Sequence, residues 1–121
     1  YITCPFQVIY TDFREIEKAL LSVSDNVYHY EALNAKAPYI VWAEDNEVNQ
    51  ISADNKKTVQ VLQGTIDLYA LTEKDELIEK IQSALDENDI SFALNSVQYE
   101  DETTLIHYEW VFEVIAWQNS Q

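Results

Sequence analysis

The chain has 121 residues, with 22 Asp and Glu against 7 Lys and Arg, so its formal net charge is −15 at pH 7. Apolar residues make up 47% and charged residues 24%, with one Gly and two Pro. This length suits one domain with its own core, and the composition excludes collagen-like and wholly disordered chains. Seven scattered positive charges do not easily build a patch that grips phosphates, so ordinary nucleic-acid binding and docking on an anionic membrane are not expected.

The single cysteine, Cys4, makes no internal disulfide and is read as a small hydrophobe, which favours a reducing compartment. No apolar run approaches the roughly 20 residues a spanning helix needs. No basic, apolar, small-residue pattern opens the chain. With Tyr1 first and no Met anywhere, the original start is expected to lie outside this sequence.

In chain order, the first predicted element is a helix over residues 12–23. Thr11 or Asp12 can cap it, with Glu15 at capping-box spacing, and Phe13, Ile16, Leu20 and Val23 share one face. Residues 27–33 and 39–44 are rich in aromatic and β-branched side chains and read as strands. The segment 34–38 between them reads as a hairpin loop, with Pro38 just ahead of the second strand. Residues 45–57 are Asp, Asn, Glu, Gln, Ser and Lys around isolated Val48, Ile51 and Ala53, and are expected to form a long polar loop.

Residues 58–71 predict the longest strand. Its alternation changes phase, with Val59 and Val61 on one parity and Leu62, Ile66 and Leu68 on the other. Gly64 stands near the switch. Either a bulge or burial on both faces accounts for this. Residues 73–88 predict the clearest helix. Thr72 is its expected cap, Leu77, Ile78, Ile81 and Leu85 form its buried stripe, and the acidic end at residues 86–89 is expected to fray. Ile90, Phe92 and Leu94 then alternate, followed by Val97 and Tyr99 on the other parity. After a turn at residues 100–103, Ile106, Tyr108, Trp110, Phe112, Val114 and Ala116 line one face of a half-buried strand. The fold class that follows is α+β, two helices packed on a mainly antiparallel sheet, in a single domain over residues 1–121.

The chemistry-bearing residues are sparse. Cys4, His29 and His107 fall on three separate segments without metal-ligand spacing, so no metal and no cofactor is expected. The acidic runs at 44–47, 86–89 and 100–102 lack the spacing of a calcium loop and read as solvated turns. Glu109 and Glu113 share a strand face about 13 Å apart, too far for a glycosidic acid–base pair. There is no nucleophile elbow and no glycine-rich phosphate cradle. The chain is therefore read as non-catalytic.

What stands out is aromatic content beside acidity: 8 Tyr and 3 Trp, many on predicted strands. Such side chains suit interfaces, since they bury area and keep a polar tip. The candidate interface residues are Tyr39, Trp42, Glu47, Val48, Ile51, His107 and Glu109. Replacing Trp42 or Tyr39 is expected to weaken assembly more than folding.

The opening helix with Phe13 and Ile16, the run from Ala37 to Trp42, the segment from Gly64 to Tyr69 and the helix from Glu73 to Leu85 form a pattern. So does the closing part with Tyr99, an acidic turn, and Tyr108 through Val114. In order and length the chain resembles the small tail-completion, or tail-terminator, proteins of long-tailed bacteriophages and prophages. The resemblance implies an α+β domain of which six copies close into a ring at the head-proximal end of the tail tube. Its partners would be further copies of itself, the tail tube protein and the head connector protein. DNA would pass through a negatively charged lumen without specific binding, and no membrane is involved. The place implied is the virion tail, assembled in the bacterial host cytoplasm. The alternative is an acidic binding module or a DNA-mimic inhibitor of a basic protein.

Overall fold

The computed structural model describes the backbone of residues 6–8, 11–53 and 56–120, and the side chains of residues 14–45 and 62–114. The elements in chain order are β1 (Phe6–Val8), α1 (Thr11–Leu21), β2 (Val27–His29), β3 (Tyr39–Ala53), β4 (Lys56–Ala70), α2 (Glu76–Glu87), β5 (Ser91–Glu100) and β6 (Leu105–Ser120). The sheet runs β2-β3-β4-β6-β5, and β1 pairs with the far end of β6. All neighbours are antiparallel except β2 and β3. This is the expected α+β class, two helices against a mainly antiparallel sheet.

Alternation along the strands decides which face the helices cover. Cross-strand partners point to the same side of a sheet. Trp42, Ile66 and Trp110 form one register row, and Ile40, Leu68 and Tyr108 the next. All six are buried, against Ile16, Ala19 and Leu20 of α1 and Leu77, Ile81, Ala84 and Leu85 of α2. Two polar tips inside this core are satisfied: the Tyr108 hydroxyl donates to the Glu73 carbonyl at 2.7 Å, and Trp110 Nε1 donates to Gln82 Oε1 at 3.0 Å, whereas Trp42 Nε1 has no partner among the described residues.

The structure corrects several sequence expectations. Residues 45–53, 56 and 57, expected in a loop, are strand: β3 continues to Ala53, and β4 begins at Lys56 as its antiparallel partner. Three register shifts interrupt the β3–β4 pairing, at Glu44/Asn46, Glu47/Asn49 and Ile51/Ser52; the first two insert Asp45 and Val48 in β3, where its period-two signal breaks, and the third inserts Thr58 in β4. The irregularity expected near Gly64 therefore lies opposite it, in β3. Against β6, β4 runs in continuous register from Val59 to Ala70.

Residues 27–33 and 39–44 do not form a hairpin. β2 ends at His29 and runs parallel to β3. Tyr30 takes φ 71° and Asn34 φ 59°, which turns the chain. The Asn26 amide then donates to the carbonyls of Lys36 and Pro38, at 2.7 and 3.0 Å. Those two bonds bring the chain back to the start of β2, so β3 sets out in the same direction. The Ala37–Pro38 peptide is cis.

The cap of α2 is Asp75, whose carboxylate accepts from Leu77 N at 2.9 Å, rather than Thr72. Its acidic end is closed by Asn88, whose amide donates to the Ala84 carbonyl at 2.8 Å. Asp89 at φ 57° and the bond from Ile90 N to Leu85 O complete a left-handed stop. In β5 a bulge between Leu94 and Ser96 explains why Val97 and Tyr99 change parity. The proposed caps of α1 and its residue Phe13 lie outside the described side chains, and Cys4 lies outside the described residues.

Candidate functional site

The helices cover one face of the sheet and leave the other open. On that open face the register aligns Tyr39 of β3, Tyr69 of β4, His107 of β6 and Gln98 of β5 in one row. Val41, Asp67, Glu109 and Ser96 form the row beside it. Tyr39, Val41, Asp67, Tyr69, His107 and Glu109 point this way because their neighbours Ile40, Trp42, Ile66, Leu68, Tyr108 and Trp110 are committed to the core.

The aromatic row stacks. The Tyr39 and Tyr69 rings lie 4.8 Å apart at 19°, and Tyr69 and His107 lie 4.3 Å apart at 18°. Tyr28 meets Tyr39 edge-on at 6.4 Å. A carboxylate stands at each nitrogen of the His107 ring: Nε2 is 2.6 Å from Asp67 Oδ1, and Nδ1 is 3.5 Å from Glu100 Oε2. Glu109 accepts from Asn95 at 3.0 Å and from Ser96 at 3.4 Å. Asn95 is the residue that the β5 bulge inserts, so the bulge aims its amide at this carboxylate.

The electrostatics follow from partial burial among like charges. Burial raises the Asp67 carboxyl above the ordinary aspartate value, helped by Glu109 and Asp45, with His107 opposing. Burial, followed by the charges of Asp67 and Glu100, pushes the Tyr69 phenol up to about 12. Tyr39 is raised by burial and then by Glu100. Beside the row, Tyr30, Tyr39, Val41, Asp67 and Tyr69 line a shallow groove of about 270 Å³.

A second cluster sits at the β2 edge. His29 stacks on Trp42 at 4.0 Å and on Tyr30 at 4.2 Å, and its Nε2 is 2.5 Å from Glu44 Oε1. Burial alone would raise the Glu44 carboxyl, but the hydrogen bonds and charge of His29, with backbone and Tyr30 hydrogen bonds, bring it below its ordinary value.

The structure thus brings Tyr39, His107 and Glu109 together on the open face. Trp42 lies elsewhere: it is 4% exposed and packed in the core, so its replacement bears on folding as well as on any contact. Glu47, Val48 and Ile51 lie on the β3 arm, and their side chains are outside the described residues. Sequence reasoning missed Asp67, Tyr69 and Glu100 as neighbours of His107. Asp67 and Tyr69 share the parity opposite Ile66 and Leu68, the one signal that could have placed them.

Among the described residues no group of three His, Cys, Asp or Glu side chains is arranged to hold a metal ion. No helix among them is long and apolar enough to cross a membrane. No protein-family model matches this chain, and no curated protein sequence matches it.

Proposed function

We propose that this protein is a structural virion component that caps the head-proximal end of a phage tail tube and joins it to the head connector as a ring of identical copies. The resemblance of the chain, in order and length, to tail-terminator proteins supports this reading. The structural observation that carries it is the open sheet face, where Tyr39, Tyr69 and His107 stack in a partly buried row. A stacked aromatic row with polar tips is the kind of surface that protein contacts use. Asp67, Glu100 and Glu109 are engaged by His107, Asn95 and Ser96, which favours protein contact over a free phosphate-like array. The negative charge would let DNA slide through a lumen without adhering.

The test is native mass by light scattering after size exclusion, across protein concentration and salt. Screening lowers repulsion between copies that each carry −15. The expected result is a discrete mass near six times 14.1 kDa, favoured by salt, with a central hole by electron microscopy. A strict monomer under every condition overturns the ring reading and moves the protein to the acidic binding-module or DNA-mimic alternative. Pull-down with a basic partner then tests that alternative.

A further inference from the structure

The free edge of β5 is a second surface. Among the described residues β5 has β6 on one side and no strand on the other. Such an edge presents unpaired N–H and C=O groups to any extended chain that approaches, and proteins usually block it with charges, Pro or bulges. β3 is blocked in this way. Beyond the short pairing with β2 it carries two bulges, at Asp45 and Val48, and Glu44, Asp45 and Glu47 lie along it.

β5 is not blocked. From Ile90 through Tyr99 there is neither a charge nor a Pro, in a chain of net charge −15. Leu94, Val97 and Tyr99 are register partners of Trp110, Tyr108 and Ile106 and so share the helix side of the sheet. They are nevertheless 49%, 51% and 61% exposed. An open backbone edge and an apolar stripe therefore coincide on one strand.

The flanks select the occupant. Asp86, Glu87 and Asp89 precede the uncharged stretch, and Glu100, Asp101 and Glu102 follow it. A second copy adding its own β5 antiparallel would set the first acidic group against the second at both ends. Like charges meeting across an interface are costly. A guest with basic residues at both ends meets opposite charge instead.

We propose that the β5 edge takes up an extended segment of a partner protein as an added strand, a segment with alternating apolar residues in its middle and Lys or Arg at both ends. Backbone bonds supply attachment, Leu94, Val97 and Tyr99 receive alternate side chains, and the acidic flanks fix register. The inference stands whether or not copies close into a ring.

The experiment uses the full chain and a fluorescent peptide of alternating Val and Thr with paired Lys at each end. Anisotropy reads affinity, and amide hydrogen exchange reads which strand is covered. The peptide is expected to slow exchange of β5 amides. A Glu-ended version is expected to bind about tenfold more weakly, as is the Lys-ended peptide on Val97→Lys, a substitution at an exposed position. Circular dichroism checks that the variant is folded. Unchanged β5 exchange at millimolar peptide, or equal binding of the two peptides, overturns the proposal. So does β5 protection that grows with protein concentration and a doubled mass without peptide, which would assign the edge to a second copy.

Discussion

Gly64 is the only glycine in the chain, and its place is dictated by a close approach rather than by a turn. A Cβ there would sit 2.5 Å from Cζ of Phe112, its register partner on β6, and closer still to the Ala43 carbonyl oxygen. Gly64→Ala should destabilise by about 1–3 kcal/mol, the usual cost of overpacking. Urea denaturation should give a smaller loss for Gly64→Ala in a Phe112→Leu background, because one of the two clashes is then relieved. An equal loss in both backgrounds would assign the whole cost to the Ala43 carbonyl. Trp42 poses the opposite problem, since its indole Nε1 is buried with no hydrogen-bond partner among the described residues. Trp42→Phe removes that polar atom and keeps most of the ring, so its cost should stay below about 1.5 kcal/mol, whereas Trp42→Ala should cost about 3–5 kcal/mol. A Phe variant as unstable as the Ala variant would show that the N–H has a partner. The two perturbed carboxyls act in opposite directions. The raised Asp67 holds its proton in the folded state at a pH where the unfolded chain has lost it, so stability from this group falls as pH rises through that window. The lowered Glu44 contributes stability above its ordinary value, which is lost as pH falls through its folded value. From about pH 3 to pH 5, below the ordinary range of His, Asp67→Asn should therefore gain on the parent as pH rises, and Glu44→Gln should lose on it. Urea midpoints measured along that range read both slopes, and parallel curves for parent and variants would refute the assignment.

At the scale of elements, the two helices were legible because periodicity and burial agree: Ile16, Leu20, Leu77, Ile81 and Leu85 were expected on buried faces and are there. The start of α2 was not, because Thr72 and Asp75 are both good caps and only geometry chooses between them. The choice is testable. Asp75→Ala should cost about 1 kcal/mol and reduce helix content near the first turn, while Thr72→Ala should leave the melting curve nearly unchanged. Matched thermal melts by circular dichroism decide it, and equal losses would return the cap to Thr72. The strands were legible where one face is buried, as in Ile106 to Val114. They were illegible where bulges break the period, as from Glu44 to Ala53, and where a strand is too short to show one, as in β1. The parallel pairing of β2 and β3 depends on two side-chain bonds from Asn26 that no alternation pattern records.

For the whole molecule, part of the open face was legible and part was not. Strand parity placed His107 on the polar side of β6, and Tyr39 and Glu109 were candidates from composition and position. That His107 stands between Asp67 and Glu100 follows only from sheet order, which sets β4 beside β6 and closes β5 back on it. The charge, by contrast, is read entirely from the sequence and has a consequence for the whole fold. With 22 acidic and 7 basic side chains, most carboxylates have no Lys or Arg to answer them. Folding gathers them, and the unfolded chain spreads them, so repulsion favours unfolding. The exposed Lys80–Glu76 pair, at 3.1 Å, offsets little of this, since such surface pairs contribute at most about 1 kcal/mol. Raising NaCl from about 0.01 M to 0.1 M shortens the screening length from about 30 Å to about 10 Å, which is less than the span of a domain. The melting temperature at pH 7 should therefore rise over that range, by about 5 °C for each kcal/mol of repulsion removed. Scanning calorimetry at low protein concentration keeps assembly out of the measurement, and a constant mass by light scattering verifies that it does. A rise with constant mass assigns the effect to repulsion within one chain. A flat or falling melting temperature would mean that the fold already disperses its carboxylates widely enough for screening to matter little, and salt-favoured assembly would then need a cause other than relief of charge.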